Sequence, residues 1–408
     1  MTGSTVFRHV RIFDGQDLLP ADSVRVAGGL IEDIGRDLAA PGDAQIIDGA
    51  GTHTLLPGLI DAHTHVVGPA LQRALVFGVT TELDMANLPG PMRAAKALDA
   101  GPEDGRQADL RSAGAAATVP GGHGTEIFPD IPTLTEPEEA EAFVAARVAE
   151  GSDYIKIHYK DGQRAARLAG HEMQVISQKT MEAVAGEASR HGLLSLAHIG
   201  TQEAAIEALE AGVSGLAHIF VDRDPDPGFG PLLARTGFVV PTLVVAEGLG
   251  GGGELPALAE DQRLAPYLDH SDLALLSRVA AGLELGVPVN LPAALAAVAA
   301  AAQAGAPVLA GTDSVLALHG AALHRELALL VRAGLTALQA LRAATGTTAR
   351  VFGLADRGRI APGLRADLVM VEGDPTADIL ATRAIAGVWK RGVAVRRDSA
   401  PARSSSSP

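Results

Sequence analysis

The chain has 408 residues, of which 47% are hydrophobic and none is cysteine, and its formal net charge is −15. The lack of cysteine excludes disulfides, thiolate metal sites and cysteine nucleophiles, so a transition metal would need nitrogen and oxygen ligands. Acidic residues spread along the chain argue against a nucleic-acid partner, because phosphate neutralisation requires clustered lysine and arginine.

No segment has the pattern of a targeting signal or a membrane span. The first nine residues lack the basic flank and apolar block of a signal peptide. The apolar run from Ala293 to Ala302 is rich in alanine and well below the length of a membrane-spanning helix. We therefore expect a cytoplasmic protein with no membrane partner.

Short β-like runs separated by Gly, Pro and Asp turns occupy both ends of the chain. The N-terminal runs are Val6–Phe13, Ser23–Val26, Leu30–Ile34 and Gln45–Ile47, and the C-terminal runs span 366–371 and 386–395. We predict that residues 1–56 and 358–396 meet in one small β-sandwich domain. Residues 397–408 contain four consecutive serines and no apolar pattern, which predicts a disordered tail.

Between these ends, apolar strands alternate with helical stretches, a pattern typical of a parallel sheet. The strand candidates are Leu59–Val66, Val79–Met85, Leu110–Val119, Tyr154–Tyr159, Leu193–Ile199, Gly215–Phe220, Phe238–Val244 and Pro307–Ser314, and helical candidates include Glu136–Glu150, Lys179–His191 and Thr201–Ala211. Eight such units predict that residues 57–357 form an α/β fold of the (β/α)8 TIM-barrel type. An open doubly wound sheet would ordinarily need a glycine-rich phosphate turn, and Gly121-Gly-His-Gly124 lacks that spacing.

Side chains able to bind metal stand at the C-terminal ends of the predicted strands. The first strand ends in His63-Thr-His65, and residues two apart on a strand share a face, so these two histidines project together. The fifth strand ends at His198, the sixth at His218 and the eighth at Asp313. Barrel enzymes place catalysis at this mouth, so we expect the five side chains to converge there.

A single histidine such as His198 is more often a satisfied core or surface residue than a metal ligand. Four histidines and an aspartate at strand ends are a stronger signal than one histidine. Buried imidazoles and carboxylates need polar partners, and one divalent cation can bind several of them at once. The set therefore predicts a metal centre. Zinc is the first choice of metal, and manganese, cobalt, nickel or iron would suit the same ligands.

Lys156 lies in the fourth predicted strand. Its ammonium cannot bind a metal, but reaction with carbon dioxide would give a carbamate whose two oxygens can bridge two cations. The alternative is an unmodified lysine paired with Asp313 or Asp84. His158 and Lys160 share its strand face by parity, so spacing alone does not rank the three residues.

In this order, the motifs resemble those of the amidohydrolase superfamily, specifically its imidazolonepropionase-like and prolidase-like branch. The motifs are Leu56-Pro-Gly-Leu-Ile-Asp-Ala-His-Thr-His65, Gly78-Val-Thr-Thr81 with Asp84, Gly121-Gly-His-Gly124, Tyr154-Ile-Lys-Ile157, Leu309-Ala-Gly-Thr-Asp313 and Gly363-Leu-Arg-Ala-Asp-Leu-Val369. The resemblance covers nearly the whole chain. Glu82 stands where the family often has arginine, and His158-Tyr-Lys-Asp-Gly162 replaces a small, glycine-rich segment. Both departures fall where substrate would lie and so concern specificity.

The resemblance implies a binuclear metal-dependent hydrolase that acts on a carbon–nitrogen bond of a small molecule, in an amide, a peptide-like bond or a cyclic amide. His63 and His65 would hold the more buried of two divalent metal ions. Lys156, carboxylated by carbon dioxide, would bridge both ions. His198 and His218 would hold the second.

Asp313 and His123 are the implied catalytic residues. Asp313 would also bind the first metal, take a proton from metal-bound hydroxide as it attacks, and deliver that proton to the departing nitrogen. His123 would contact the substrate carbonyl or carboxylate, with Tyr159 and Lys160 as further candidates for holding a substrate anion. His319, in the loop after the eighth strand, is another substrate-binding candidate.

Other reactions on the same centre are the main alternatives, namely decarboxylation, deamination or ester hydrolysis, because fold and ligands do not determine the reaction. A catalytically silent binding barrel is less favoured, because every predicted ligand is present. The sequence leaves open the substrate, the physiological metal, a homo-oligomeric state and the role of residues 221–266.

Overall fold

The structure is a computed structural model that describes residues 4–99, 106–160, 172–250, 253–281 and 289–399. Of the predicted disordered tail, residues 397–408, the part from residue 400 onward lies outside these ranges. Arg397, at its start, donates hydrogen bonds to the carbonyl oxygens of Val76 and Ile385. Within them, none of the helices combines the length and the apolar character needed to cross a membrane.

Fourteen strands are assigned in the described ranges. In chain order they are β1 (Thr5–Ile12), β2 (Ser23–Ala27), β3 (Leu30–Gly35), β4 (Gln45–Pro57), β5 (Leu59–Thr64), β6 (Val79–Asp84), β7 (Asp109–Ser112), β8 (Ile155–His158), β9 (Ser195–His198), β10 (Gly215–Ala217), β11 (Phe238–Val240), β12 (Leu368–Glu372), β13 (Ile385–Lys390) and β14 (Val393–Ala394). They form one seven-stranded sheet and two smaller parallel sheets.

The seven-stranded sheet takes strands from both ends of the chain, in the order β14-β13-β12-β4-β1-β2-β3. Strand β4 is its centre, since it pairs in parallel with β1 and antiparallel with β12. The Phe7 ring packs edge-on against Trp389 with centroids 4.7 Å apart, which ties the two chain ends in one apolar cluster. The two terminal segments therefore share one sheet and one core.

The two parallel sheets have the orders β5-β6-β7 and β8-β9-β10-β11. Isolated parallel bridges join the edge strands of these sheets to neighbouring segments of the chain. They pair Thr64 of β5 with Ser314, Ile157 of β8 with Ala117, and Val239 of β11 with Val308. The mixed α/β class predicted from the sequence is confirmed. Because all these strands run in parallel, their C-terminal ends lie at one edge, where the predicted ligands stand.

Twelve α-helices are assigned in the described ranges. They are α1 (Ala70–Val76), α2 (Pro89–Asp99), α3 (Ala140–Glu150), α4 (Gln178–Arg190), α5 (Gln202–Glu210), α6 (Phe229–Thr236), α7 (Leu243–Leu249), α8 (His270–Ala280), α9 (Leu291–Gln303), α10 (Ala321–Arg332), α11 (Ala337–Ala343) and α12 (Gly346–Val351). The starts of α4 and α5 follow from capping, because the Ser177 and Thr201 hydroxyls accept hydrogen bonds from the backbone N–H groups of Thr180 and Ala204.

Several strand predictions needed correction. The predicted eighth strand, Pro307–Ser314, is present only as isolated bridges at Val308 and Ser314. The predicted strands Leu110–Val119 and Gly215–Phe220 end at Ser112 and Ala217. Strand β4 runs for 13 residues, far beyond the predicted Gln45–Ile47. The prediction stopped early because Gly49, Ala50 and Gly51 in the middle of the strand have the sequence pattern of a turn. Ala50 and Gly51 have positive φ angles, and the register with β1 shifts nearby. The predicted Phe238–Val244 strand ends at Val240, since α7 begins at Leu243.

Buried charges join the seven-stranded sheet to the parallel strands. Asp109, at the start of β7, lies 2.5 Å from Lys390 Nζ and 2.5 Å from Arg365 Nη1, and it also contacts Arg357. Burial would raise the pKa of Asp109, but the charges of Lys390, Arg357 and Arg365 outweigh it and hold that pKa well below its usual range. A depressed carboxyl pKa stabilises the fold above the unfolded-state pKa, and that stability is lost as pH falls.

We expect Asp109→Asn to lower the free energy of unfolding by about 3–5 kcal/mol, because three buried cations lose their shared anion. Urea denaturation at neutral pH measures this change. The control is Asp17→Asn, which breaks an exposed pair with Arg342 and should cost less than about 1 kcal/mol. Equal effects of the two substitutions would contradict the structural role of Asp109.

Candidate metal centre

The ends of β5 and of the segment around residue 313 bring three predicted ligands together. Asp313 Oδ1 lies 3.3 Å from His63 Nε2 and 3.0 Å from His65 Nε2. Each of the three side chains offers one ligand atom within 4.8 Å of the others. His63 is fully buried, whereas His65 and Asp313 are partly exposed, so the group is open on one side.

The histidines of β9 and β10 continue this cluster. His198 Nδ1 lies 2.9 Å from His218 Nε2, and the rings of His218 and His63 are 4.6 Å apart between centroids. His123, His158 and His198 form a second group whose nitrogen atoms lie within 4.8 Å of one another. The five ligands predicted from strand ends therefore lie in one continuous cluster.

The backbone at this edge is strained in a way that aims the ligands. Asp313 and His218 have φ angles of +55° and +72°, in the left-handed region that residues with a side chain seldom adopt. The Asp313 N–H donates to the His63 carbonyl at 2.6 Å. A Cβ on Gly311 would lie 2.8 Å from the His63 backbone nitrogen, so the close approach of the two segments requires glycine.

The protonation states suit cation binding. Burial and the charge of Lys156 lower the pKa of His63 to about 3. Burial also lowers the pKa values of His198 and His218 well below the ordinary range. Burial opposes ionisation of Asp313, but His63 and His65 hold its pKa well below the usual value. His63, His198 and His218 are therefore neutral imidazoles and Asp313 is a carboxylate, the forms that bind divalent metals. Burial would lower the pKa of His65, but its hydrogen bond to Asp313 and the charges of Asp313 and Asp84 raise it.

Lys156 projects from β8 into the same interior and is 1% exposed. Its charge contributes to the lowered pKa values of His63, His198 and His218. The predicted proximity of Lys156 to the histidine set is therefore present in the fold. Whether its amine is carboxylated stays a prediction.

Two buried carboxylates support the ligands. Neither was among the predicted metal ligands, and Asp84 was named only as a possible partner of Lys156. Asp61 accepts hydrogen bonds from the backbone N–H groups of His63 and Thr312 and from the Thr312 hydroxyl, at 3.1, 3.0 and 2.7 Å. Asp84 accepts from the Val66 N–H at 2.8 Å. Burial raises the pKa of Asp61 to about 7 and that of Asp84 to about 6. The available signals in the sequence were the position of Asp84 at the end of β6 and that of Asp61 two residues before His63.

The predicted substrate-binding residues divide into two groups. The ring centroid of His123 lies 5.0 Å from that of His198, inside the cluster, and the buried His319 donates from Nε2 to the Val315 carbonyl in the neighbouring loop. Tyr159 and Lys160 instead bind Glu207 of α5, at 2.8 and 2.6 Å from its Oε2. The fold thus turns these two side chains toward α5.

His158 belongs to the cluster although spacing did not rank it. Its Nδ1 lies 2.8 Å from the His123 carbonyl oxygen. A carbonyl only accepts, so Nδ1 carries the proton and Nε2 keeps its lone pair, the tautomer common among metal-binding histidines. The parity of His158 with Lys156 was the only sequence signal.

Solved structures share this architecture over nearly the whole chain. A Xaa-Pro dipeptidase with bound methionine matches with a TM-score of 0.75 and 22% identity, covering 97% of this chain and 100% of that one. A putative prolidase from Bifidobacterium longum matches with a TM-score of 0.76 and 24% identity, covering 98% and 97%. At these identities the matches concern the fold, which is of the TIM-barrel-like α/β class.

The sequence comparisons are more specific. The Amidohydrolase family matches residues 54–395. The imidazolonepropionase of Cereibacter sphaeroides is 28% identical over 405 residues, covering 91% of this chain and 93% of that protein. The chain belongs to the amidohydrolase family, which confirms the resemblance drawn from its motifs.

Proposed function

We propose that this protein is a metal-dependent hydrolase of carbon–nitrogen bonds in small molecules, such as amides, peptide-like bonds or cyclic amides. The observation that carries the proposal is the convergence of His63, His65, His198, His218 and Asp313 in one cluster. Family membership supports the reaction class, as do an imidazolonepropionase among the relatives and a dipeptidase among the structural matches.

The proposal includes a particular architecture. We infer that residues 57–357 close into a (β/α)8 barrel, supported by the parallel bridges at Ser314, Ala117 and Val308. Residues 1–56 and 358–396 would form the accompanying β-sandwich domain, built around the shared sheet. The metal centre would then occupy the C-terminal mouth of the barrel, where such folds place catalysis.

The residues present fit a divalent cation. The buried Nδ1 of His63 makes no hydrogen bond to another described residue, and its buried Nε2 has only the 3.3 Å contact with Asp313 Oδ1. Buried polar atoms without hydrogen-bond partners are rare in native proteins, so such an atom indicates a further partner such as a bound ion. A cation beside Asp313 would satisfy His63 and His65 together. Zinc is our first choice, with manganese, cobalt, nickel or iron compatible with the same ligands.

Two ions would divide the cluster. His63, His65 and Asp313 would hold the more buried one, and His198 and His218 the other. Lys156 stands in the same interior and would bridge them as a carbamate formed with carbon dioxide. When bound, such cations lower the pKa of water and polarise a carbonyl group.

The chain's own residues would then move the protons. Asp313 is ionised and partly exposed toward the cluster, so its carboxylate can accept the proton of the attacking water. The same carboxyl would return that proton to the departing nitrogen. His123, whose ring centroid lies 5.0 Å from that of His198, would contact the carbonyl oxygen that gains charge during attack. His319 would border the bound substrate from the neighbouring loop.

The test combines metal analysis with a substrate panel. We expect the purified chain to contain one to two equivalents of a divalent transition metal, and the metal-loaded protein to hydrolyse members of a panel of N-acyl amino acids, dipeptides and lactams. Fully loaded protein that hydrolyses none of them would contradict the assignment and favour another reaction on the same centre.

Thr242 is expected to orient His218 for metal binding. A hydrogen bond of 2.7 Å joins its hydroxyl to His218 Nδ1, and such partners typically contribute 10–100-fold to metal affinity. We therefore expect Thr242→Ala to lower the affinity for the second cobalt ion, measured by titration, by about 10–100-fold. Thr242→Ser keeps the hydroxyl and is the matched control; equal weakening in both variants would refute this role.

A further inference from the structure

A mostly apolar cavity of about 280 Å³ lies beside the proposed metal centre. Its walls include Val244 and Leu249 on α7, Leu275 and Val279 on α8, and the segment 312–318. Asp313 belongs both to this lining and to the ligand group with His63 and His65. A ligand held at the centre can therefore extend directly into the cavity.

The lining is poor in groups that could receive a charged ligand. Among the described residues that line the cavity, none is lysine, arginine or histidine, and Asp313 is the only one with a charged side chain. The Thr312 hydroxyl is already hydrogen-bonded to Asp61 and to the Ser314 hydroxyl. A carboxylate placed here would lose its hydration without gaining a cationic partner, which is strongly unfavourable.

Ion pairs behind the two helical walls hold the cavity in shape. Glu247 of α7 is buried and accepts hydrogen bonds from Arg325 at 2.7 and 2.6 Å. Asp272 of α8 accepts from Arg73 at 2.8 Å and from the Leu318 N–H at 2.6 Å. Glu247 and Asp272 are thus paired with arginines of α10 and α1, and α7 and α8 present apolar side chains to the cavity.

We propose that this cavity binds an uncharged hydrocarbon substituent of the substrate, an alkyl chain or a group the size of a phenyl ring. Its volume is near the lower end of small-molecule sites, which suits a single substituent. The enzyme would prefer amides whose substituent in this cavity is apolar over compounds that would place a carboxylate in it. This inference rests on the proposed function, because the cavity selects a ligand that the metal centre holds.

Binding of hydroxamates to the full-length, zinc-loaded protein tests the inference without requiring turnover. Hydroxamates bind divalent metals through two oxygens, so the chain beyond them reports on the cavity. The probes are hexanohydroxamic acid and its analogue with a carboxylate in place of the terminal methyl group. We expect calorimetry to give at least about tenfold tighter binding of the alkyl probe; equal affinities, or tighter binding of the carboxylate probe, would overturn the inference.

Charge-introducing variants sharpen the test. Leu275→Arg and Leu249→Arg would each place a cation at the cavity wall, at side chains that are only partly buried. We expect them to reverse the preference toward the carboxylate probe. Val148→Arg, at an exposed position of α3 outside the lining, is the control and should leave the preference unchanged. Circular dichroism identifies any unfolded variant. The comparison of the alkyl and carboxylate probes on the wild-type protein tests the inference even if a variant does not fold.

Acetohydroxamic acid separates failure of this inference from failure of the proposed function, since it is too short to enter the cavity. If zinc-loaded protein does not bind it, the metal centre itself is refuted. If it binds acetohydroxamic acid but does not distinguish the two longer probes, only the cavity assignment is wrong.

Discussion

Asp313→Asn is expected to keep its bound metal and to lose about 10²–10⁴-fold in kcat, the usual contribution of a general acid–base group. The amide oxygen still faces His63 and His65, so metal binding has a donor to replace the carboxylate. The amide cannot accept the proton of the attacking water at neutral pH, so turnover fails. Metal analysis and steady-state kinetics with a substrate from the panel measure the two effects separately.

The control for this prediction is Asp17→Asn, since Asp17 is exposed and paired with Arg342 on the surface. It should retain both metal and turnover. An Asp313→Asn protein with normal metal content and near-normal kcat would remove the proton-transfer role of Asp313. Loss of metal together with activity would instead assign Asp313 mainly to binding.

His63→Asn has the second large expected effect, on metal binding. His63 is fully buried and neutral, and its Nε2 lies 3.3 Å from Asp313 Oδ1. It is one of the three side chains in the group formed with His65 and Asp313. We expect the affinity for the tighter metal ion to fall by more than about 100-fold, because even indirect changes around a metal cost 10–100-fold. Cobalt titration followed by absorption spectroscopy measures this affinity.

His9→Asn is the matched control, because His9 is exposed on β1 and pairs with Asp48 on the adjacent strand β4 of the seven-stranded sheet. It should bind cobalt as the unchanged protein does. Unaltered cobalt binding in His63→Asn would show that the tighter ion lies elsewhere, and the assignment of the first group would be wrong.

The parts of the site that sequence reasoning located are those governed by strand periodicity. His63 and His65 are two residues apart, so parity alone placed both on the same face of the predicted first strand. His198 ends β9 and His218 follows β10, and parallel pairing of these strands brings them together. Alternation of strands and helices was enough to predict an α/β fold, and the capping residues Ser177 and Thr201 mark two helix starts in the sequence itself.

Other features depend on tertiary contacts that no local pattern encodes. Tyr159 and Lys160 follow the correct strand, but their direction is set by Glu207 on another element. The pairing of β4 with β1 and β12 overrides the turn-like glycines at its centre. The apolar cavity is formed by α7, α8 and the segment 312–318, which are distant in sequence and individually unremarkable.

Anomalous diffraction from crystals of the metal-loaded protein, measured at the absorption edge of the bound metal, tests the central claim most directly. We predict peaks among His63, His65 and Asp313 and beside His198 and His218, with density for an added carboxyl group on Lys156 between them. A fully loaded crystal whose anomalous peaks lie away from these side chains would contradict the proposed hydrolytic centre.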